Sequence, residues 1–307
     1  MANRALCGVV ASLMFAAAGC DRSDIEAVNL ANEGDQAKAT NLDEAISKFE
    51  QATTLDPTND RILWKLAIAN QKKEDWAKVA LACSKAEKLS PTHANYFFLH
   101  GYALRKLAEK GAGASWADAR AFLTQAIEKD RNLADAYFEL GEVALHLDDE
   151  KGAAENYTKA IDAKPDELSF YAPLADLYIR QRNLKEAEQV LKEALHFAKP
   201  GDKALFAVHS MLGGVAEARG DLPGAIAEYQ AAKSICGQCV DSLRGEQLAY
   251  FNLGAAYGGL EPPRKDESIQ QLSVFSKVVC RGGLAQRYAD QCAQAQEIAR
   301  KLGGALP

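Results

Sequence analysis

The chain has 307 residues, 48% of them hydrophobic and 25% charged, and a formal net charge of −6. This balance is globular: too apolar for a disordered chain, and without the basic stripe that nucleic-acid binding requires. By length alone two domains would be expected, unless the chain is built from repeats.

The first nineteen residues read as a processing segment. Arg4 supplies a positive start, and Ala5–Ala18 is an apolar run too short to span a membrane. Ala17-Ala18-Gly19-Cys20 then resembles the lipobox of bacterial lipoproteins, although that motif usually has leucine where Ala17 stands. The resemblance implies a signal peptide at 1–19, palmitate or a similar acyl chain on Cys20, and a short tether at 20–25. It also implies attachment to a lipid bilayer in the bacterial cell envelope, facing the periplasm. Asp21 is the residue type linked to inner-membrane retention in enteric lipoproteins, but sorting rules differ between bacteria, so the choice between inner and outer membrane stays open.

Beyond the tether a pattern returns every 34 residues. Ala45, Phe49, Ala52 and Pro57 close a first unit. Leu63, Leu66, Ala67, Val79, Cys83, Ala86 and Pro91 form the next. The fullest copy is Tyr137, Leu140, Gly141, Ala144, Ala153, Tyr157, Ala160 and Pro165, followed by Tyr171, Leu174, Ala175, Ala187, Leu191 and Ala194. Each unit carries two apolar stripes with helical spacing, and the closing prolines cannot continue a helix. Three units are stretched at turns, around Gly111–Ser115, Pro200–Leu205 and Pro262–Pro263, where extra length costs little closure entropy. Gly141, Gly213 and Gly254 fall mid-helix, and Ala153, Ala187 and Ala225 are expected as the small residues that meet such positions. Pro173 lies inside an expected helix, which should therefore start late or kink.

These residues resemble the tetratricopeptide repeat. The resemblance implies an all-α fold: a right-handed α-solenoid of about seven helix pairs over 26–280, with a C-terminal capping helix at 281–303. In that family the first helix of each pair lines a concave face. Its fifth position maps onto Trp64, Phe98, Phe138, Ala172, Ser210 and Phe251, of which four are aromatic, a composition suited to recognition. Tyr102, Arg105, Glu142, Asp176 and Arg180 are the expected polar rim. Family members that grip a terminal carboxylate place Lys and Asn at the fifth and ninth positions. Trp64 and Ile68, then Phe98 and Tyr102, occupy those places here. The implied partner is a protein or peptide segment with bulky apolar side chains.

Cys83 takes the place of Phe49 and Tyr157 in sister units and reads as core. Cys236, Cys239, Cys280 and Cys292 cluster late in the chain, and an even set in an exported protein points to two disulfides. Of the three connectivities, local pairs 236–239 and 280–292 are favoured, because facing repeat helices stand too far apart for cross-links at equivalent positions. Zinc binding or thiol redox chemistry by the same four cysteines is the alternative. No His-Glu-x-x-His, phosphate loop or nucleophile constellation is present, so no cofactor, metal, small-molecule substrate or catalytic activity is expected. The expectation is a non-enzymatic adaptor held by lipid to an envelope membrane. By fold analogy it would help assemble a secretin, pilus or gliding-motility complex.

Overall fold

The computed structural model describes residues 22–199, 201–236 and 248–307. All of its regular elements are helices among these residues. In chain order they are α1 (Arg22–Ala37), α2 (Leu42–Leu55), α3 (Asp60–Lys72), α4 (Trp76–Leu89), α5 (Ala94–Glu109), α6 (Trp116–Lys129), α7 (Ala134–His146) and α8 (Glu150–Ala163). Then come α9 (Tyr171–Arg180), α10 (Leu184–Phe197), α11 (Ala204–Ala218), α12 (Leu222–Cys236), α13 (Leu248–Gly259), α14 (Lys265–Val279) and α15 (Ala289–Lys301). Among the described residues, α1 to α14 thus alternate as first and second members of seven repeats, and α15 follows as the cap. None of the helices among the described residues is long and apolar enough to cross a membrane.

The chain divides into two compact units, Met1–Gly113 and Ala114–Pro307, at the first of the stretched turns. In the first unit α1 packs on α2, α2 on α3, α3 on α4 and α4 on α5. Its core gathers Ala27, Ala31, Ala45, Phe49 and Ala52, then Ala67, Val79, Cys83, Leu99 and Ala103. In the second unit the same succession runs from α6 to α14, and α15 seals α13 and α14. Its largest cluster runs from Ala134 to Val215 around Tyr157, Tyr171, Leu174, Leu191 and Val208.

The turns inside four of the pairs, α3–α4, α7–α8, α9–α10 and α11–α12, share one short motif. Glu74, Asp148 and Arg182 take φ of 57°, 58° and 62°, and Gly220 takes 81° at the equivalent place. The residue after each donates its N–H to a carbonyl in the preceding helix: Asp75 to Asn70, Asp149 to Ala144, Asn183 to Tyr178 and Asp221 to Ala216. This closes the first helix as a Schellman motif. Three of those residues then cap the second helix: Asp75 accepts from Lys78 N–H, Asp149 from Gly152 and Asp221 from Gly224. A left-handed residue with a Cβ costs about 1 kcal/mol or more relative to glycine. Arg182 is exposed. Arg182→Gly should therefore raise the stability of the second unit by about 1 kcal/mol, read as a higher urea midpoint at unchanged slope. No gain would mean the turn is not strained.

Pro173 is accommodated by a late start. Leu168–Phe170 form a 3₁₀ turn, α9 begins at Tyr171, and Pro173 sits in its first turn, where a missing N–H is harmless. The mid-helix glycines differ from expectation in their partner. A Cβ at Gly141 would lie 2.5 Å from the Tyr157 ring, and one at Gly213 would lie 2.4 Å from Tyr229. The large residue of the second helix, not the alanine, fills the space each glycine leaves. Where the second helix brings Cys83, the glycine position holds Ala67, so the smaller partner is matched by a larger residue opposite.

Candidate partner-binding face

In the first unit the fifth-position rings rest on a built support. Trp64, on α3, is half-buried and lies 5.3 Å from Tyr96 at 41°. Tyr96 stacks at 4.1 Å on His93. Its hydroxyl donates to Asp60 Oδ2 at 3.1 Å, and the Ser90 hydroxyl donates to the same oxygen at 2.5 Å. Those donors, Ser90 foremost, hold the Asp60 carboxyl below the usual range. Burial, and then the Asp60 charge, push the Tyr96 phenol up to about 12. At neutral pH, then, Asp60 is an acceptor and Tyr96 a donor, which fixes the ring beneath Trp64 in one orientation.

Phe98 and Tyr102 follow one turn apart on α5, with centroids 6.2 Å apart. Tyr102 meets Trp76 edge-on at 5.3 Å, and Arg105 and Lys106 lie 5.3 and 5.7 Å from its ring. Beside them opens a cleft of about 420 Å³ whose walls include Lys72, Glu74, Trp76, Tyr102, Lys106 and Glu109. Glu109 pairs with both Arg105 and Lys106, so what this face offers is chiefly aromatic surface, which suits bulky apolar side chains.

In the second unit the strip is shorter. Phe138, on α7, stacks at 5.1 Å on Phe170 and lies 5.7 Å from Tyr157. Ala172 and Ser210 then interrupt the aromatic series.

Two expected site residues are corrected. Phe251 is only 9% exposed and packs 5.3 Å from Phe275 in the C-terminal core, because α14 covers the face that α13 would otherwise open. Arg105 is 5% exposed and ion-paired with Glu109, so it is a buried support and not part of a wet rim. Glu142 is half-buried and accepts the Tyr157 hydroxyl at 2.5 Å. Asp176 and Arg180 are exposed and pair with each other at 3.0 Å, an arrangement that cancels their charge and contributes little.

Other concavities are explained by structure. The cleft of about 370 Å³ between α10, α11 and α12 is lined by Glu188, Lys192, Arg219 and Glu228. Its charges are paired: Glu188 accepts from Lys192 and Arg219, and Lys192 foremost lowers its carboxyl. Cys280 and Cys292 form a disulfide, with Cα atoms 5.7 Å apart. They cannot also act as free thiolates for metal. The expected Cys236–Cys239 pair falls outside the described residues, which stop at position 236 and resume at 248. Among the described residues no group of three or more His, Cys, Asp or Glu is placed to hold a metal ion.

Repeated helix pairs, four of them joined by the same turn motif, with small and large residues compensating at fixed positions, have a family counterpart. Two family models described as tetratricopeptide repeat match residues 110–167 and 148–212. Residues 110–212 are tetratricopeptide repeats. Solved structures of this type resemble the chain over much of its length. PilF of Pseudomonas aeruginosa superposes with a TM-score of 0.55 at 17% identity, covering 70% of this chain and 94% of that one. PilW, described as a widely conserved type IV pilus biogenesis factor, gives 0.54 at 16% identity, covering 68% and 92%. The MamA protein gives 0.50 at 25% identity, covering 56% and 91%. Among curated proteins none matches the sequence. At such identities PilF and PilW speak for the fold of this repeat protein alone.

The sequence pattern missed two exposed apolar surfaces. Leu81, on α4, is 58% exposed above a cleft of about 270 Å³ that includes Leu63 and Leu66. Ile25 and Val28 protrude from α1. The repeat signature carries no position for either, so only exposure could reveal them.

Proposed function

We propose that this repeat protein is a non-catalytic adaptor, anchored through acylated Cys20 to an envelope membrane and facing the periplasm. Its first-helix faces hold a protein segment with bulky apolar side chains and so help assemble or stabilise an envelope complex. The observation that carries the binding role is the pre-set stack of His93, Tyr96 and Trp64, continued by Phe98 and Tyr102 on α5. Rings already held by hydrogen bonds and stacking lose little entropy on binding, and aromatic anchors of this type dominate interface energies. The pilus-related neighbours make an envelope assembly role the natural setting, by analogy of fold.

The test is cross-linking in intact cells followed by recovery of the chain. Trp64→Ser with Phe98→Ser should reduce the cross-linked partner by about tenfold or more, since each anchor contributes on the order of 2 kcal/mol. Phe138→Ser is read separately for the second unit. Circular dichroism must show the helices intact. A partner retained at full yield by the double variant would remove the aromatic face from the mechanism.

A further inference from the structure

The first helix has two apolar sides. Its buried side is Ala27, Ala31 and Gly34, packed on α2 and α3. The other is a short exposed patch in its first two turns, made by Ile25 and Val28, whose three-residue spacing puts them side by side. Ile25 is 56% and Val28 46% exposed, and they are two of only five large hydrophobic side chains so exposed among the described residues. Asn32 stands one turn beyond Val28 on the same line, exposed and polar, and ends the patch. Arg22, Glu26 and Glu33 lie to one side of it, and Asn29 borders it. Repeat packing gives no reason for branched aliphatic residues here, and they stand only at the end of the helix that the chain enters from Cys20.

We infer that the Ile25–Val28 patch of α1 lies in the membrane interface and sets how the first unit stands on the bilayer. This rests on the reading of Cys20 as the acylated residue. The occupant follows from reach. Helix α1 begins at Arg22, two residues after Cys20. Two extended residues and three helical ones span about 12 Å at most to Ile25, and one further turn brings Val28 to about 16 Å. The headgroup layer is itself about 5–7 Å thick on each face. An acyl chain in the bilayer therefore leaves the first turns of α1 within reach of the headgroup level, where apolar side chains partition into the boundary and polar neighbours remain wet. A second copy or a protein partner would have to displace lipid already held there.

The test uses the full acylated chain carrying Ile25→Cys and Leu81→Cys together, inserted into vesicles of phosphatidylethanolamine and phosphatidylglycerol. Leu81 is the internal control, being 58% exposed on α4. Labelling by a membrane-impermeant maleimide is read site by site by peptide mass spectrometry. In vesicles, position 25 should react about tenfold more slowly than position 81, as the loss of about 1.4 kcal/mol of accessibility implies. In the same chain with Cys20→Ser and no vesicles, the two should react alike. Equal labelling in vesicles by an acylated, membrane-bound chain would overturn the interfacial patch and leave the anchor standing. A chain found neither acylated nor membrane-bound would overturn both. Protection at position 25 in the Cys20→Ser chain without vesicles would assign the patch to self-association and overturn the proposal.

Discussion

Gly141→Ala is expected to destabilise the second unit by about 1–3 kcal/mol, whereas the same substitution in a Tyr157→Cys background should stabilise it by up to about 1 kcal/mol. The sign is set by one contact. A methyl group at position 141 would lie 2.5 Å from Tyr157 Cε1, closer than carbon atoms approach without displacement. The ring cannot yield: Tyr157 is fully buried, bonded through its hydroxyl to Glu142 at 2.5 Å and flanked by Phe138. Burial raises the phenol pKa, and the Glu142 carboxylate raises it further, so that bond stays formed at neutral pH. Overpacking therefore outweighs the roughly 1 kcal/mol by which alanine surpasses glycine inside a helix. With the ring removed, only the propensity gain remains. The double variant reproduces Ala67 opposite Cys83, which the first unit already uses with both residues buried. Tyr157→Cys alone should cost about 3 kcal/mol through the cavity it leaves. Hydrogen exchange over α7 and α8 in all four chains measures the cycle; a stabilising Gly141→Ala in the otherwise native chain would refute the packing rule.

Breaking the Cys280–Cys292 bridge should cost about 3 kcal/mol by the closure entropy of its 12-residue loop, and the loss should be local. The bridge ties the end of α14 to α15. Between them lie Tyr288 and Leu284, which pack with Phe251, Leu272, Phe275 and Val279. A terminal helix in a repeat array has neighbours on one side only, so a covalent tie acts where the array would otherwise fray. Cys292→Ser should accelerate hydrogen exchange across residues 265–301 by about a hundredfold, as about 3 kcal/mol implies, and leave residues 22–113 unchanged. Unchanged exchange in α15 would show that apolar packing alone holds the cap. Cys83 provides a control, since burial raises its thiol pKa strongly and it should resist alkylation in the folded chain.

The array was legible in the sequence because helix packing imposes small residues at fixed intervals. Ala45, Ala153, Ala187 and Ala225 are all fully buried, and the period they mark gives helix count, turn sites and register. The late start of α9 at Pro173 was equally legible, since a proline acts through its own backbone. Depth and partnership were not. The pattern assigned Trp64, Phe98, Phe138 and Phe251 one shared role, yet α14 covers Phe251 while the other three stay half-exposed. It matched Gly141 and Gly213 with alanines, but the approach of the paired helix aims Tyr157 and Tyr229 at them.

The sequence alone determined that this chain forms repeated helix pairs, because periodic burial and turn chemistry are local properties that each segment carries with it. Only the tertiary structure decided which rings remain open to a partner, which arginine is buried and which apolar patch on α1 is left uncovered. Exposure is set by the neighbouring helix, and a repeat signature written one unit at a time does not contain its neighbour.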